Sequence, residues 1–425
     1  MTAGTAASTD CDVLFIGGGI AGLACASMLD RLTQRRLSIG IVETRVPAPL
    51  PADAEAGLRV FAIAPGARAV LEAAGAWSRL PPSRAGAYER MRIFGPDSTP
   101  YGSGSIGFDA ASQGLAELGH IVEHDWLRLA LWECRPSLLF NAAALAFEPR
   151  PEAMHVQLAD GSVVRTRLLV GSDGPDSRVR EQLGVRCTTR DYRQSAIVAH
   201  VRSERPHERT AWQHFRRSGP VALLPMADGR SSIVWSCFTA EAGELMALPD
   251  AEFNVRLTEA TGQVLGELEL TTRRLAFPLA ARHAHRYTGA RFALIGDAAH
   301  QIHPLAGQGI NQGLLDAAVL ADTLTTHLGA GPLADPGDAL VLRRHERQRK
   351  GANLMTMAAM EGLHGMFTSK AVAVAAMATR GMGIVDRLPL LKRWLADQAA
   401  GTTASSRRWH HHKPATPGAK PTGAP

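Results

Sequence analysis

The sequence predicts an α/β fold in which a nucleotide-binding domain is assembled from separated stretches of chain, with a sheet-based domain inserted and a helical region at the C-terminus. Three observations point there. Short apolar, β-rich runs at residues 13–16, 168–170 and 292–295 each lead into a glycine-containing turn. Between the second and third, residues 192–279 alternate strand-like runs (196–201, 221–224 and 232–238) with polar turns. From Asp338 onward, residues 343–366 and 371–395 are patterned as helix.

At 425 residues, 45% of them hydrophobic, the chain can bury a large core and hold roughly two to three domains. The expected organisation is a disordered N-terminus (1–10) and nucleotide-binding pieces at 11–80, 115–185 and 285–330. Residues 81–114 and 186–284 fall to the substrate side, 335–400 to the helical region and 401–425 to a disordered tail. The net charge of +6 is spread along the chain apart from short runs such as Arg343-Arg344 and Arg347 to Lys350. That balance suits anionic ligands or an anionic membrane surface and gives no sign of nucleic-acid binding. Five cysteines without a Cys-x-x-Cys pair imply a reducing, cytoplasmic setting. The apolar stretch 13–29 has no basic region before it and is broken by Gly17, Gly18, Gly19 and Gly22, so it reads as strand and helix and not as a membrane span.

The first run continues as Ile16-Gly17-Gly18-Gly19-Ile20-Ala21-Gly22, a strand opening directly into Gly-x-Gly-x-x-Gly and an apolar helix. Gly17 permits the tight turn, Gly19 lets backbone approach a pyrophosphate, and Gly22 lets the helix pack closely on the strand. A second strand over 37–42 ends at Glu43, about 20 residues beyond Gly22, where a carboxylate can accept bonds from ribose hydroxyls. The motif alone leaves FAD and NAD both open.

The third run stops at Gly296-Asp297, and Gly307-Gln308-Gly309-Ile310-Asn311 opens a helix reaching about Leu328. Asp297, at the carboxyl end of a strand, can accept bonds from a polyol chain, and the turn at 307–311 would aim N–H groups outward. Here the residues carry a family resemblance. The stretches DVLFIGGGIAGL, LLVGSDGPDSRVR, RFALIGDAAHQIHPLAGQGINQGLLDA, and YRQSAIVAHVRSERPHERTAWQHF followed by GPVALLP resemble the flavin hydroxylases of ubiquinone biosynthesis, within the para-hydroxybenzoate hydroxylase superfamily. The similarity runs in order from about residue 12 to 400. It implies a Rossmann-like FAD-binding domain in which Asp297 beside Gly296 holds the ribityl chain. Asp173 and Gly174 would lie near the pyrophosphate and the NAD(P)H path, and Arg59 and Arg128 would face the phosphates. Pro304, Gly307 and Gln308 are the expected catalytic positions along the flavin ring, with Gly309 and Asn311 completing the cofactor set. Two departures stand out: Val122-Glu123-His124 replaces the usual Val-Glu-Asn, and the segment 131–147 is short.

The resemblance further implies an FAD-dependent monooxygenase that hydroxylates the aromatic ring of a polyprenylated phenol, using NAD(P)H as a transient reductant, dioxygen and a flavin hydroperoxide. A single nucleotide fingerprint agrees with FAD as the one tightly held cofactor. A hydroxylase of soluble phenolics, a flavin-dependent reductase of prenyl chains and a non-catalytic flavoprotein subunit remain alternatives. His300 and His303 come with no spacing that identifies a third ligand, so no metal site is expected. No Gly-x-Ser-x-Gly elbow or P-loop lysine motif is present. Residues 371–378 and the run Leu388 to Trp394 read as a packed helix pair, with contact to the inner membrane or a biosynthetic complex as the alternative.

Overall fold

The computed structural model describes residues 10–303, 307–329, 331, 334–369 and 371–401. Pro304 and the expected disordered ends, apart from Asp10 and Gly401, lie outside the described residues. The chain begins with β1 (Cys11–Ile16), α1 (Ile20–Leu32), β2 (Ile39–Val42), β3 (Val60–Ile63) and α2 (Pro65–Ala73). It continues through β4 (Ala85–Tyr88), β5 (Arg90–Phe94), β6 (Ser105–Asp109), β7 (Gly119–Glu123), α3 (His124–Cys134) and β8 (Leu138–Phe140). Next come β9 (Ala144–Pro149), β10 (Met154–Leu158), β11 (Val163–Gly171), α4 (Arg178–Gln182) and the long β12 (Cys187–Ser203). The middle of the chain supplies β13 (Thr210–His214), β14 (Val221–Pro225), β15 (Ser231–Phe238), α5 (Thr239–Ala247) and α6 (Asp250–Ala260). After β16 (Leu268–Leu270), β17 (Leu275–Ala284), β18 (Thr288–Gly289), β19 (Phe292–Leu294) and β20 (His300–Gln301), the chain ends in helices. These are α7 (Gln308–Leu328), α8 (Ala339–Phe367), α9 (Val372–Asp386) and α10 (Pro389–Ala400).

The first sheet has the order β18-β19-β11-β1-β2-β8, with β10 and β9 added beside β11. Its central strands are parallel: β1 pairs with β2 and β11, and β11 pairs with β19. They are near-continuously apolar because both faces are covered. On one face Val13, Phe15 and Val170 pack against α1 and α7; on the other Leu14, Leu169 and Leu294 pack with Met154, Val179 and Tyr287. The parallel register places Ile16 beside Gly171, and Gly171 beside Leu294. The three glycine turns, far apart in sequence, therefore open at the same carboxyl edge of one sheet, where a nucleotide can bind across strands.

A second, nine-stranded sheet runs β20-β17-β12-β15-β14-β13-β5-β6, with β16 beside β12. A three-stranded sheet, β3-β7-β4, stands apart from both. Residues 239–260, inside the stretch expected to alternate strands and turns, are instead the helices α5 and α6. Phe253, Leu257 and Ala260 recur at helical spacing, and Asp250 and Glu252 sit in the first turn of α6, where acids favour a helix start. These helices cover the sheet face that carries Ile197, Ala199, Trp235 and Cys237.

The C-terminal region is helical as expected, with a sharper break. Asp338 caps α8 by accepting from the Leu340 and Val341 amides. The run 371–395 divides between α9 and α10 because Pro389, at the first turn of α10, has no N–H to give and holds Leu388 extended (φ −106°). Among the described residues no helix is long and apolar enough to cross a membrane.

Candidate active site

Each glycine of the first turn does a separate job. Gly17 has φ +98°, and a Cβ there would lie 2.7 Å from the Ser172 carbonyl oxygen. A Cβ on Gly22 would lie 2.3 Å from Ser172 Oγ and 2.8 Å from the Gly17 carbonyl oxygen, so only glycine lets α1 sit this close to the strand turn. A Cβ on Gly19, by contrast, would come no closer than 3.7 Å to the Ser172 carbonyl oxygen. Gly19 is the N-cap of α1, without a side-chain cap, so the helix presents unpaired N–H groups beside an open space. Glu43 accepts the Gly18 amide at 2.7 Å through one oxygen and the Arg45 amide at 2.7 Å through the other. Arg128 donates to the Gly18 carbonyl at 3.0 Å and lies 3.5 Å from Glu43. Gly17, Gly19, Gly22, Glu43 and Arg128 thus gather on one turn.

The second turn follows β11. Gly174 has φ +89° and an open side. The Asp173 backbone lies against Gly17, a Cβ on which would be 2.8 Å from Asp173 Cα. Its carboxylate turns the other way, accepting from the Ser177 hydroxyl at 2.6 Å and the Val179 amide at 3.1 Å. Burial raises its pKa while those bonds oppose the rise. The side chain shapes the turn into α4 instead of projecting into the opening.

In the third turn Gly296 has φ +58°, and Asp297 follows it. Burial raises the Asp297 pKa, opposed by the neighbouring His300, Arg59 and Arg282. No described residue donates a hydrogen bond to its carboxylate. The half-buried carboxylate is thus free to accept from a ligand, and the hydroxyls of a ribityl chain supply that chemistry. Arg59 is exposed, with its guanidinium 5.2 Å from the Phe61 ring centroid. Gly307, left-handed at φ +61°, caps α7 without a side-chain bond, and a Cβ on Gly309 would touch nothing within 4 Å. The α7 amides at Gln308 and Gly309 therefore face outward from the positive end of a 21-residue helix.

Asn311 reaches this region with a different task. Its Nδ2 donates to the Ala62 and Gly307 carbonyls at 2.9 and 3.0 Å, and its Oδ1 accepts the Ala64 amide at 3.0 Å. The side chain fastens α7 to the end of β3, with both of its N–H groups and one lone pair of its oxygen engaged by backbone.

Several positions that the sequence did not single out complete the site. Asp316, wholly buried in α7, binds the Gly296 amide and His300. Gln194 on β12 accepts from His303 at 3.3 Å and His364 at 2.8 Å and donates to the Ser218 carbonyl, so His300 and His303 turn to different partners. Burial and the neighbouring His364 push His303 down to about 3. Gly57, two residues before Arg59, is held from both sides: its amide donates to Glu123 at 2.9 Å and its carbonyl accepts from His200 at 3.0 Å. Glu123, from the departing Val-Glu-His segment, also pairs with Arg84 at 3.2 Å. One signal was available: an aspartate in the apolar helix run Leu314-Leu315-Asp316-Ala317-Ala318 needs a buried partner.

These groups fit FAD: a helix N-terminus with open space beside Gly19, a carboxylate near the end of β2, a donor-less carboxylate at the third turn and a second free helix N-terminus. Comparison with known proteins agrees. Residues 140–348 match the FAD binding domain family. The chain is 35% identical over 398 residues to ubiquinone hydroxylase UbiL of Rhodospirillum rubrum, covering 92% of this chain and 90% of that protein. It is 30% identical over 395 residues to 3-demethoxyubiquinol 3-hydroxylase of Escherichia coli, covering 92% and 98%. Among solved structures, PqsL, a probable FAD-dependent monooxygenase from Pseudomonas aeruginosa, shares the fold with a TM-score of 0.69 at 24% identity, covering 87% of this chain and 99% of that one. The chain belongs to the FAD-dependent hydroxylases of ubiquinone biosynthesis and is an FAD-dependent aromatic-ring monooxygenase.

Proposed function

We propose that this enzyme hydroxylates the ring of a polyprenylated phenol on the route to ubiquinone, with NAD(P)H as transient reductant and dioxygen as co-substrate. The observation that carries this reading is an apolar sheet face spanning two loops of the cofactor side. Gln194, Ala196, Val198 and His200 alternate onto one side of β12, and cross-strand pairing puts Phe277 opposite Ala196 and Leu275 opposite Val198 on that side. One end meets His303 through Gln194, and the other meets Gly57 through His200. Between them Leu275 and Phe277 are 40% and 45% exposed. Such a surface suits a lipid-tailed ring, since each buried CH₂ is worth about 0.8 kcal/mol.

In this reading the amides after Gly19 and the Arg128 and Arg59 guanidiniums hold the FAD phosphates, Glu43 the ribose and Asp297 the ribityl hydroxyls. Asp173 and Gly174 border the phosphate and nicotinamide side. Bound FAD supplies the hydride acceptor and the activation of dioxygen. The protein orients the ring against the apolar face and keeps water away, and the α7 N-terminus at Gly307, Gln308 and Gly309 stabilises negative charge on the flavin's pyrimidine side. Leu390 and Trp394 of α10 stand exposed beside Arg393, and Ile384 beside Arg380 and Arg387, which supports peripheral binding to an anionic inner-membrane surface.

Lipid extracts of cells lacking the protein test the proposal. They should contain a prenylated ring one hydroxyl short of the normal intermediate, together with less ubiquinone. Unchanged ubiquinone with no such precursor refutes it in a strain with no second hydroxylase for the step.

A further inference from the structure

Asp316 lies midway along α7, fully buried, and it satisfies four donors with two oxygens. Oδ2 accepts the Gly296 amide at 3.1 Å and His300 Nε2–H at 2.5 Å. Oδ1 accepts Arg349 Nε–H at 2.6 Å and Asn353 Nδ2–H at 3.1 Å. Arg349 in turn donates to Gln312 Oε1 at 2.8 Å and to Asn353 Oδ1 at 2.9 Å. A single carboxylate oxygen therefore grips the third glycine turn at both ends, Gly296 and His300, with Asp297 between them. The turn has little slack on its other side, because a Cβ on Gly296 would lie only 3.1 Å from the Ala21 methyl of α1. Burial alone would raise the Asp316 pKa, yet His300 and Arg349 hold it well below the usual carboxylate range, so the grip stays ionised.

We propose that Asp316 is a positioning residue for the cofactor: it fixes the 296–300 turn so that Asp297 faces the ribityl chain, and through Arg349 and Asn353 it makes α8 part of the FAD site. The proposal rests on the ribityl role of Asp297 given above. Asp316 acts through the turn and does not itself meet FAD. It also explains why α8, which carries no part of the glycine motifs, is tied so tightly to them.

A buried ion pair that only stabilises the fold would affect folding without any link to Asp297, so the test is a double-mutant cycle read in FAD affinity. Apoprotein is titrated with FAD for the wild type, Asp297→Ala, Asp316→Asn and the double variant, with apoprotein Tm measured alongside. Loss of one charge-assisted bond predicts that Asp297→Ala and Asp316→Asn each weaken FAD binding by about 10-fold or more. The double variant should bind within about twofold of Asp297→Ala alone, because placing the turn matters only while Asp297 is there to use it. An Asp316→Asn constant within about twofold of wild type overturns the proposal, and so does a double variant that shows the full product of the single effects. Should Asp316→Asn fail to fold, Asn353→Leu removes one donor to Asp316 and one acceptor from Arg349 while the Arg349–Asp316 pair remains; it should weaken FAD binding several-fold with the same non-additivity, and an unchanged constant overturns the proposal. An unchanged constant for Asp297→Ala alone overturns the ribityl reading, and the positioning role with it, whatever Asp316→Asn shows.

Discussion

Gly19 and Gly22 belong to one motif, yet the structure makes their substitutions separable. Gly22→Ala would set a methyl 2.3 Å from Ser172 Oγ, which is committed to the Ile16 and Gly17 carbonyls, and 2.8 Å from the Gly17 carbonyl oxygen. Overpacking of that kind costs about 1–3 kcal/mol, offset by roughly 1 kcal/mol of better helix propensity, for a net loss of up to about 2 kcal/mol in the apoprotein. Gly19 has an extended backbone (φ −81°, ψ 174°) open to any residue, and a Cβ there would come no closer than 3.7 Å to the Ser172 carbonyl oxygen. Replacing a glycine cap costs a few tenths to about 1 kcal/mol, against about 0.4–1 kcal/mol recovered from the unfolded chain, so Gly19→Val should leave apoprotein stability nearly unchanged. It should instead obstruct the pyrophosphate, and each charge-assisted amide bond lost weakens FAD binding by about 10- to 150-fold. The assay is thermal melting of both apoproteins, then FAD titration and the visible flavin spectrum of purified protein. Gly19→Val should be well folded and colourless, and Gly22→Ala should melt early. A Gly19→Val protein that purifies fully flavinylated would refute the assignment of this opening to FAD; one that melts as early as Gly22→Ala would refute the packing argument.

Asn311→Ala should destabilise the apoprotein by about 1–3 kcal/mol, because it removes the partner of the buried Ala64 amide and one donor to the half-buried Ala62 carbonyl; an unchanged Tm would show that these bonds do not matter. Stability should also fall with acid. His120, His200, His303, His345 and His364 all have pKa values lowered chiefly by burial, His345 to about 4, so the folded protein keeps them neutral while the unfolded chain protonates near pH 6.5. Their contribution is present above about pH 6.5 and is lost as pH falls toward 4, which apoprotein melting at pH 8, 6.5 and 5 would reveal as a declining Tm. His303→Gln, which keeps an N–H for Gln194, should flatten that decline; an identical slope would mean that His303 is not one of the groups responsible.

The glycine turns, the strands that precede them and the acids Glu43 and Asp297 were legible in the sequence because each is a local requirement. A φ of +98° at Gly17, a helix packed against Gly22 and a carboxylate following a strand leave marks within a few residues. The order of the pieces was legible as well, since three such turns imply one edge only if their strands share a sheet. What Asn311 and Asp173 do there was not legible. Both belong to the motifs, but whether a side chain faces a ligand or fastens backbone depends on what lies opposite. For Asn311 the opposite groups are Ala62 and Ala64, some 250 residues away in the chain. The clamp on Gly57 draws one partner from β7 and one from β12, and the anchor at Asp316 draws on α8. Periodicity also left out the two short helices within residues 239–260, which sit among strands and turns until a sheet face needs covering. Local backbone preference is written in neighbouring residues, whereas the partner of a buried polar group is chosen by packing, and packing is settled only when distant segments meet.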